Sequence, residues 1–200
     1  MKLTGSRSRE DHDAFSDWDY RLESTDDFAA VQKHLATCLL WKPAVLPVLR
    51  GVTLIDTNGD LYDYASPHEM CESQWDSIAA QEDHSKIRDY WIMTFKHLKA
   101  LYRNLDPLCS IGLEISTACA RDIFFQYALD VNFVGSFYEF KKIATTPRLG
   151  DIELITGLPY RTRQEKLDKI CALNRVVVDA LPGFSDRTSA VFEERLHLLR

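Results

Sequence analysis

The chain has 200 residues, 46% of them hydrophobic and 27% charged, with a net charge of −6 at pH 7. That length buries a core without staples, as one generous domain or two small ones, and acidity argues against general nucleic-acid binding. No apolar run approaches the ~20 residues that cross a bilayer, and the opening MKLTGSRSRE lacks an apolar signal core, so a cytoplasmic protein is expected.

Cys38, Cys71, Cys109, Cys119 and Cys171 are odd in number and scattered, with no C-x-x-C pair. They read as small buried hydrophobes rather than as a disulfide or zinc framework. Charge is unevenly spread: residues 1–85 hold 7 Lys/Arg against 16 Asp/Glu, and residues 86–200 hold 17 against 14. Two solvated surfaces of different sign explain this, and so does an acidic metal-holding half joined to a basic phosphate-holding half.

In chain order, the first polar stretch is GSRSREDHDAFSDWDY, residues 5–20. If Asp17–Tyr20 is a strand, Asp17 and Asp19 project to one face and Trp18 and Tyr20 to the other, where a helix can cover them. Two carboxylates so close repel unless a cation sits between them, and Mg²⁺, which favours hard oxygen ligands, fits that need. Gly5 and Ser6 offer a close backbone approach to a phosphate, with Arg7 and Arg9 nearby. Thr25 or Asp26 then caps a helix whose apolar face is Phe28, Val31, Leu35 and Leu39. Pro43 and Pro47 leave an extended or edge segment. GVTLIDTNGDLYDYAS, from Gly51, reads as a hairpin around an Asn-Gly turn.

From about residue 74 the pattern is helical. Ile87, Trp91, Phe95, Leu98 and Tyr102 recur at helical steps, and Asp106-Pro107 opens a helix apolar nearly all round to Leu129, as in the centre of a bundle. His34 and His97 lie in helical stretches and are expected at the surface or half-buried. A segment near 133–144 precedes a stretch broken by Pro147, Gly150, Gly157 and Pro159. Leu167, Ile170, Cys171, Val177, Val178 and Leu181 line another helix, stopped by Pro182-Gly183. Val191, Phe192, Leu196 and Leu199 line the last. The expected fold is α+β: a small α/β sheet domain over 1–75, then a helical bundle over 76–200, with the boundary near residues 66–86.

Acidic pairs of the D-x-D kind arise by chance, and Asp11/Asp13 is one. Gly-Ser, about ten polar residues and Ser-Asp-Trp-Asp together are more specific. This combination resembles the signature of the DNA polymerase β-type nucleotidyltransferases, especially the minimal nucleotidyltransferases and the antibiotic adenylyltransferases. The resemblance implies a third carboxylate on a neighbouring strand. Asp63, in the return strand of the hairpin, matches it, whereas Asp56 and Asp60 read as turn formers. A calcium loop is excluded at D-T-N-G-D, since Gly59 falls at position four and Pro67 at position twelve.

Family members carry a strand, and usually a helix, before Gly-Ser; here only Met1–Thr4 precede it, room for a strand of three or four residues. The resemblance further implies that Asp17, Asp19 and Asp63 hold two Mg²⁺ ions and that Gly5, Ser6, Arg7 and Ser16 serve the nucleotide. It points to Lys141 or Lys142 for the triphosphate and Glu139 as general base. The implied reaction moves a nucleoside monophosphate, AMP from ATP, to a hydroxyl of a small molecule such as an aminoglycoside- or lincosamide-like antibiotic. A regulatory or antitoxin-type enzyme acting on or binding a protein is the alternative, and a relative that binds nucleotide without turnover is a third. A homodimer is left open. The chain has no G-x-S-x-G, Walker loop or G-x-G-x-x-G, and His68-Glu69 lacks the second His of a zinc protease.

Overall fold

Residues 1–45, 48–81, 84–131 and 145–199 are described by a computed structural model. The polar N-terminal stretch forms β1 (Lys2–Thr4), a one-turn helix α1 (Gly5–Ser8) and β2 (Trp18–Arg21). A 3-10 turn over Thr25–Asp27 leads into α2 (Phe28–Leu35). Ser24 caps this turn, its N–H donating to Asp27 Oδ2 at 3.1 Å, and Asp27 stands at the N-cap of α2, so neither Thr25 nor Asp26 is the cap. The helix ends four residues sooner than its apolar spacing predicts. Leu39 lies beyond it and donates its N–H to the Ile55 carbonyl at 2.8 Å, entering the sheet.

β3 (Leu40–Val45), β4 (Leu49–Ile55) and β5 (Leu61–Pro67) complete one five-stranded sheet in the order β1-β2-β5-β4-β3. Only the β2–β5 pairing is parallel. Pro43 sits in β3 at the sheet edge, where a missing N–H is tolerated. In the β4–β5 turn, Asp56 Oδ1 accepts the N–H groups of Asn58 and Asp60, each at 2.9 Å. Gly59 has φ +79°, and a Cβ there would meet Phe95, Val191 and Arg195 at 2.9–3.0 Å. The bare turn thus docks tightly against two helices, and Arg195 pairs with Asp60 at 3.0 Å. This docking fixes β5 beneath the helical half.

The other described residues form helices: α3 (Glu72–Ala79), α4 (Ser85–Tyr102), α5 (Asp106–Ile123), α6 (Leu149–Gly157), α7 (Arg163–Ala180) and α8 (Pro182–Leu196). The architecture is α+β, a mixed sheet followed by a helical region. Strand alternation divides the sheet into two faces. One carries Tyr64, Val52 and Leu54 and is covered by Phe28 and Val31 of α2 and Trp75 and Ile78 of α3. The other carries Asp19 and Asp63. At its end, Leu40, Ile55 and Leu61 join one core cluster with Ile87, Trp91, Phe95 and Leu98 of α4 and residues of α5, α7 and α8.

Two further expectations are corrected. Helix α5 is not apolar-buried all round: Leu108, Ile111 and Ile115 are exposed, and the α-helix gives way to a π-turn at Phe124–Ala128. Only one side of α5 packs against α4 and α7, so the apolar pattern overstates its burial. His97 is 3% exposed rather than at the surface. It fills space vacated by Gly112, where a Cβ would come within 2.4 Å of its ring, and it shares a 2.8 Å hydrogen bond with Ser116. Among the described residues no helix is long and apolar enough to cross a membrane.

Candidate active site

Parallel pairing sets Asp19 of β2 directly beside Asp63 of β5. Asp17 lies two residues before Asp19, so the chain brings it to the same face. Carboxylate oxygens of Asp17, Asp19 and Asp63 all lie within 4.8 Å of one another. Both flanking strands support the pair. The Thr4 hydroxyl donates to the Asp19 carbonyl at 3.2 Å, and the Thr53 hydroxyl donates to Asp63 Oδ1.

Gly5 adopts φ +70° and presses on this cluster, since a Cβ there would fall 1.9 Å from Asp19 Oδ2. Glycine is required twice over, for the left-handed backbone and for the missing side chain. Ser6 follows in α1, its carbonyl accepting the N–H groups of Arg9 and Asp11 at 3.1 and 3.2 Å.

The helical half contributes cations. Lys99 of α4 pairs with Asp17 Oδ2 at 2.7 Å, while Asp17 Oδ1 is buried with no hydrogen-bond partner among the described residues. Lys96, one turn earlier, lines the cleft with Thr4, Asp19, Thr53 and Asp63. The cleft has a volume of about 530 Å³. Burial raises the Asp19 pKa above the ordinary carboxylate value, as do the neighbouring Asp63 and Asp17 charges, with Lys99 and Lys96 offsetting part of this.

The other anticipated residues are placed as follows. The Arg7 Nε donates to the Ser16 carbonyl at 3.0 Å, and its guanidinium lies 3.8 Å over the Trp18 ring, on the aromatic side of β2. Ser16 is buried, its hydroxyl accepting from Arg103 at 2.8 Å and from the Asp13 N–H at 3.0 Å. Arg103 also pairs with Asp13 at 2.6 Å. Burial works against the Asp13 carboxylate, yet Arg103 and the Phe15 N–H hold its pKa below the usual value. This network ties the loop before β2 to the end of α4. Glu139, Lys141 and Lys142 lie outside the described residues.

Lys96, Lys99, Thr53 and Arg103 were not anticipated. Lys96 and Lys99 each follow a buried position of α4, Phe95 and Leu98. Such boundary lysines carry their stems along the core and their ammonium groups past it.

The donor set suits a divalent cation. It comprises three hard carboxylates, one of whose oxygens is buried and unsatisfied, which costs free energy until a cation or donor reaches it.

No family model matches the chain, and no curated protein matches it either. Among solved structures it is similar to an aminoglycoside 6-adenyltransferase from Bacillus subtilis, with a TM-score of 0.33 and 11% sequence identity. That likeness covers 88% of this chain and 81% of that one. At such a TM-score it supports nothing about the chemistry, which stands on the side chains described above.

Proposed function

We propose that this protein transfers a nucleoside monophosphate, AMP from ATP, to a hydroxyl of a small molecule. The convergence of Asp17, Asp19 and Asp63, with Asp19 and Asp63 lining a cleft beside Lys96 and with Lys99 paired to Asp17, carries this reading. The three carboxylates would hold two Mg²⁺ ions. When bound, these would neutralise charge on the triphosphate and favour the ionised form of the acceptor hydroxyl.

The protein's own part is positional. Gly5 lets the start of α1 close onto Asp19, whose Oδ2 fills the place a side chain would take, and brings the first backbone N–H groups of α1 beside the carboxylates. Lys96 places an ammonium at the cleft, where a triphosphate brings negative charge. Thr53 holds one oxygen of Asp63 and leaves the other for a metal or for the departing proton. The acceptor oxygen attacks the α-phosphorus, the bond to the β-phosphate oxygen breaks, and pyrophosphate leaves while the hydroxyl proton passes to a site carboxylate or solvent. An in-line displacement of this kind needs orientation and charge compensation more than covalent help from the protein.

The test is direct. The protein is incubated with Mg²⁺, each radiolabelled NTP and a panel of hydroxyl-bearing small molecules, and pyrophosphate release is measured. Release that depends on acceptor, with label on the small molecule, supports the proposal. Label on a protein from cell extract, or bound nucleotide without release, would replace it.

A further inference from the structure

The cleft extends past the carboxylates along the sheet, and its far part has a different character. Strand pairing lays out two successive rungs on this face. The first runs Thr4, Asp19, Asp63, Thr53; the second runs Lys2, Arg21, Ala65, Gly51, Ala44. Arg21, Ala65, Gly51, Ala44 and Leu49 all line the cleft, which makes its floor there low and apolar beside one guanidinium.

Gly5 follows β1, which runs antiparallel to β2, so the chain leaves Thr4 toward the Asp17 side of Asp19. The second rung therefore lies on the opposite side of the carboxylates from Gly5 and Ser6. In-line displacement sends the leaving pyrophosphate away from the incoming hydroxyl, so a triphosphate seated near Gly5 leaves the second rung to the acceptor.

The charges of that rung are unbalanced. Arg21 and Lys2 stand directly opposite each other across β1 and β2, an arrangement of like charges that costs stability. Among the described residues neither side chain makes an ion pair or hydrogen bond. Arg50, the other arginine lining this part of the cleft, is already paired with Asp76 at 2.8 Å.

We infer that the second rung is the acceptor subsite and that its ligand is a flat, largely apolar alcohol bearing an anionic group, carboxylate or phosphate, that pairs with Arg21. The inference rests on the transfer reading for the role of the hydroxyl, and it narrows the acceptor away from polycationic molecules. Two residues of strand span ~6.6 Å, which sets the separation between the reacting hydroxyl and the anionic group.

Three probes share one hydroxymethylphenyl frame and carry an anionic, a neutral or a cationic group: 4-(hydroxymethyl)benzoate, 4-(hydroxymethyl)benzamide and 4-(hydroxymethyl)benzylamine. Their binding to the full chain in Mg²⁺, without nucleotide, is measured by ligand-observed NMR titration. The benzoate is expected to bind about tenfold more tightly than the other two, as a charge-assisted pair with arginine implies. Arg21→Gln should abolish the preference without lowering the melting temperature, since it also relieves the repulsion from Lys2, and Arg21→Lys should retain part of the preference. Equal binding, preference for the amine, no binding by any probe, or a preference that survives Arg21→Gln would overturn the inference. Pyrophosphate release from ATP is read separately. Arg21-dependent binding with no release on any acceptor would sink the transfer reading alone, whereas release with a cationic aminoglycoside but not with the benzoate would sink the subsite alone.

Discussion

The ammonium of Lys99 lies 2.7 Å from Oδ2 of Asp17, a contact between residues 82 apart in the chain. It joins the helical half to the acidic face of the sheet, and it supplies a fixed positive charge where three carboxylates converge. Both side chains are mostly withdrawn from water, so the pair is not a screened surface bridge. Lys99→Ala should therefore destabilise the metal-free protein by about 1–3 kcal/mol. Because the ammonium and a divalent cation answer the same charge, Mg²⁺ should raise the melting temperature of the variant more than that of the parent. Thermal unfolding in EDTA and in millimolar Mg²⁺ checks this; equal shifts would show that Lys99 and the metal do not compete.

Gly5→Ala isolates the close approach of α1 to Asp19. A methyl group 1.9 Å from Oδ2 has to displace that carboxylate, and the left-handed backbone adds its own strain. Turnover should fall at least ~100-fold, with about 1–2 kcal/mol lost in stability. Pyrophosphate release and urea unfolding on the same preparation separate the two effects. Full activity in this variant would remove Gly5 from the site.

The pKa of Asp19 is raised in the folded protein, first by burial and then by Asp63 and Asp17. Between its unfolded and folded values the native state binds more protons, so stability falls as pH rises through that window. The penalty is fully present at neutral pH when no metal is bound. Asp19→Asn removes it and should raise the melting temperature in EDTA at pH 7 while lowering turnover ~1000-fold or more. Lower stability in EDTA would show that Asp19 is held by favourable contacts rather than against repulsion.

The carboxylate trio could be read from the chain because strand alternation and hairpin register are short-range rules. Asp17 and Asp19 share a face by spacing alone, and the Asn-Gly turn places Asp63 on a return strand. Which strand lies beside β2 is a long-range fact; the resemblance suggested it and the sheet order carries it. The lysines opposite were not read, since Lys96 and Lys99 look like solvated residues at the margin of a buried stripe until the sheet beneath them is known. The exposure of Leu108, Ile111 and Ile115 was missed for the same reason: periodicity reports apolar positions, not how many of them find a neighbour. His97 was missed because a polar ring enters a core only when Gly112 makes room and Ser116 provides a partner. Neither condition is visible in the sequence around it.

That histidine supports the last prediction. Burial lowers the His97 pKa to about 4, so in the folded protein the ring stays neutral over most of the acid range. The unfolded chain takes up a proton near the ordinary value of ~6.5. Between these values the unfolded state binds more protons, and stability rises with pH. The contribution of His97 is complete above ~6.5 and is lost as pH falls toward about 4, a swing of up to about 3 kcal/mol. Replacing the ring by Gln should cost stability at pH 7, where its packing between α4 and α5 and its bond to Ser116 are lost. It should also flatten the dependence of unfolding free energy on pH between 4.5 and 6.5. Denaturant titrations of His97→Gln and the parent across that range measure both effects, and parallel pH slopes would mean that the ring titrates elsewhere.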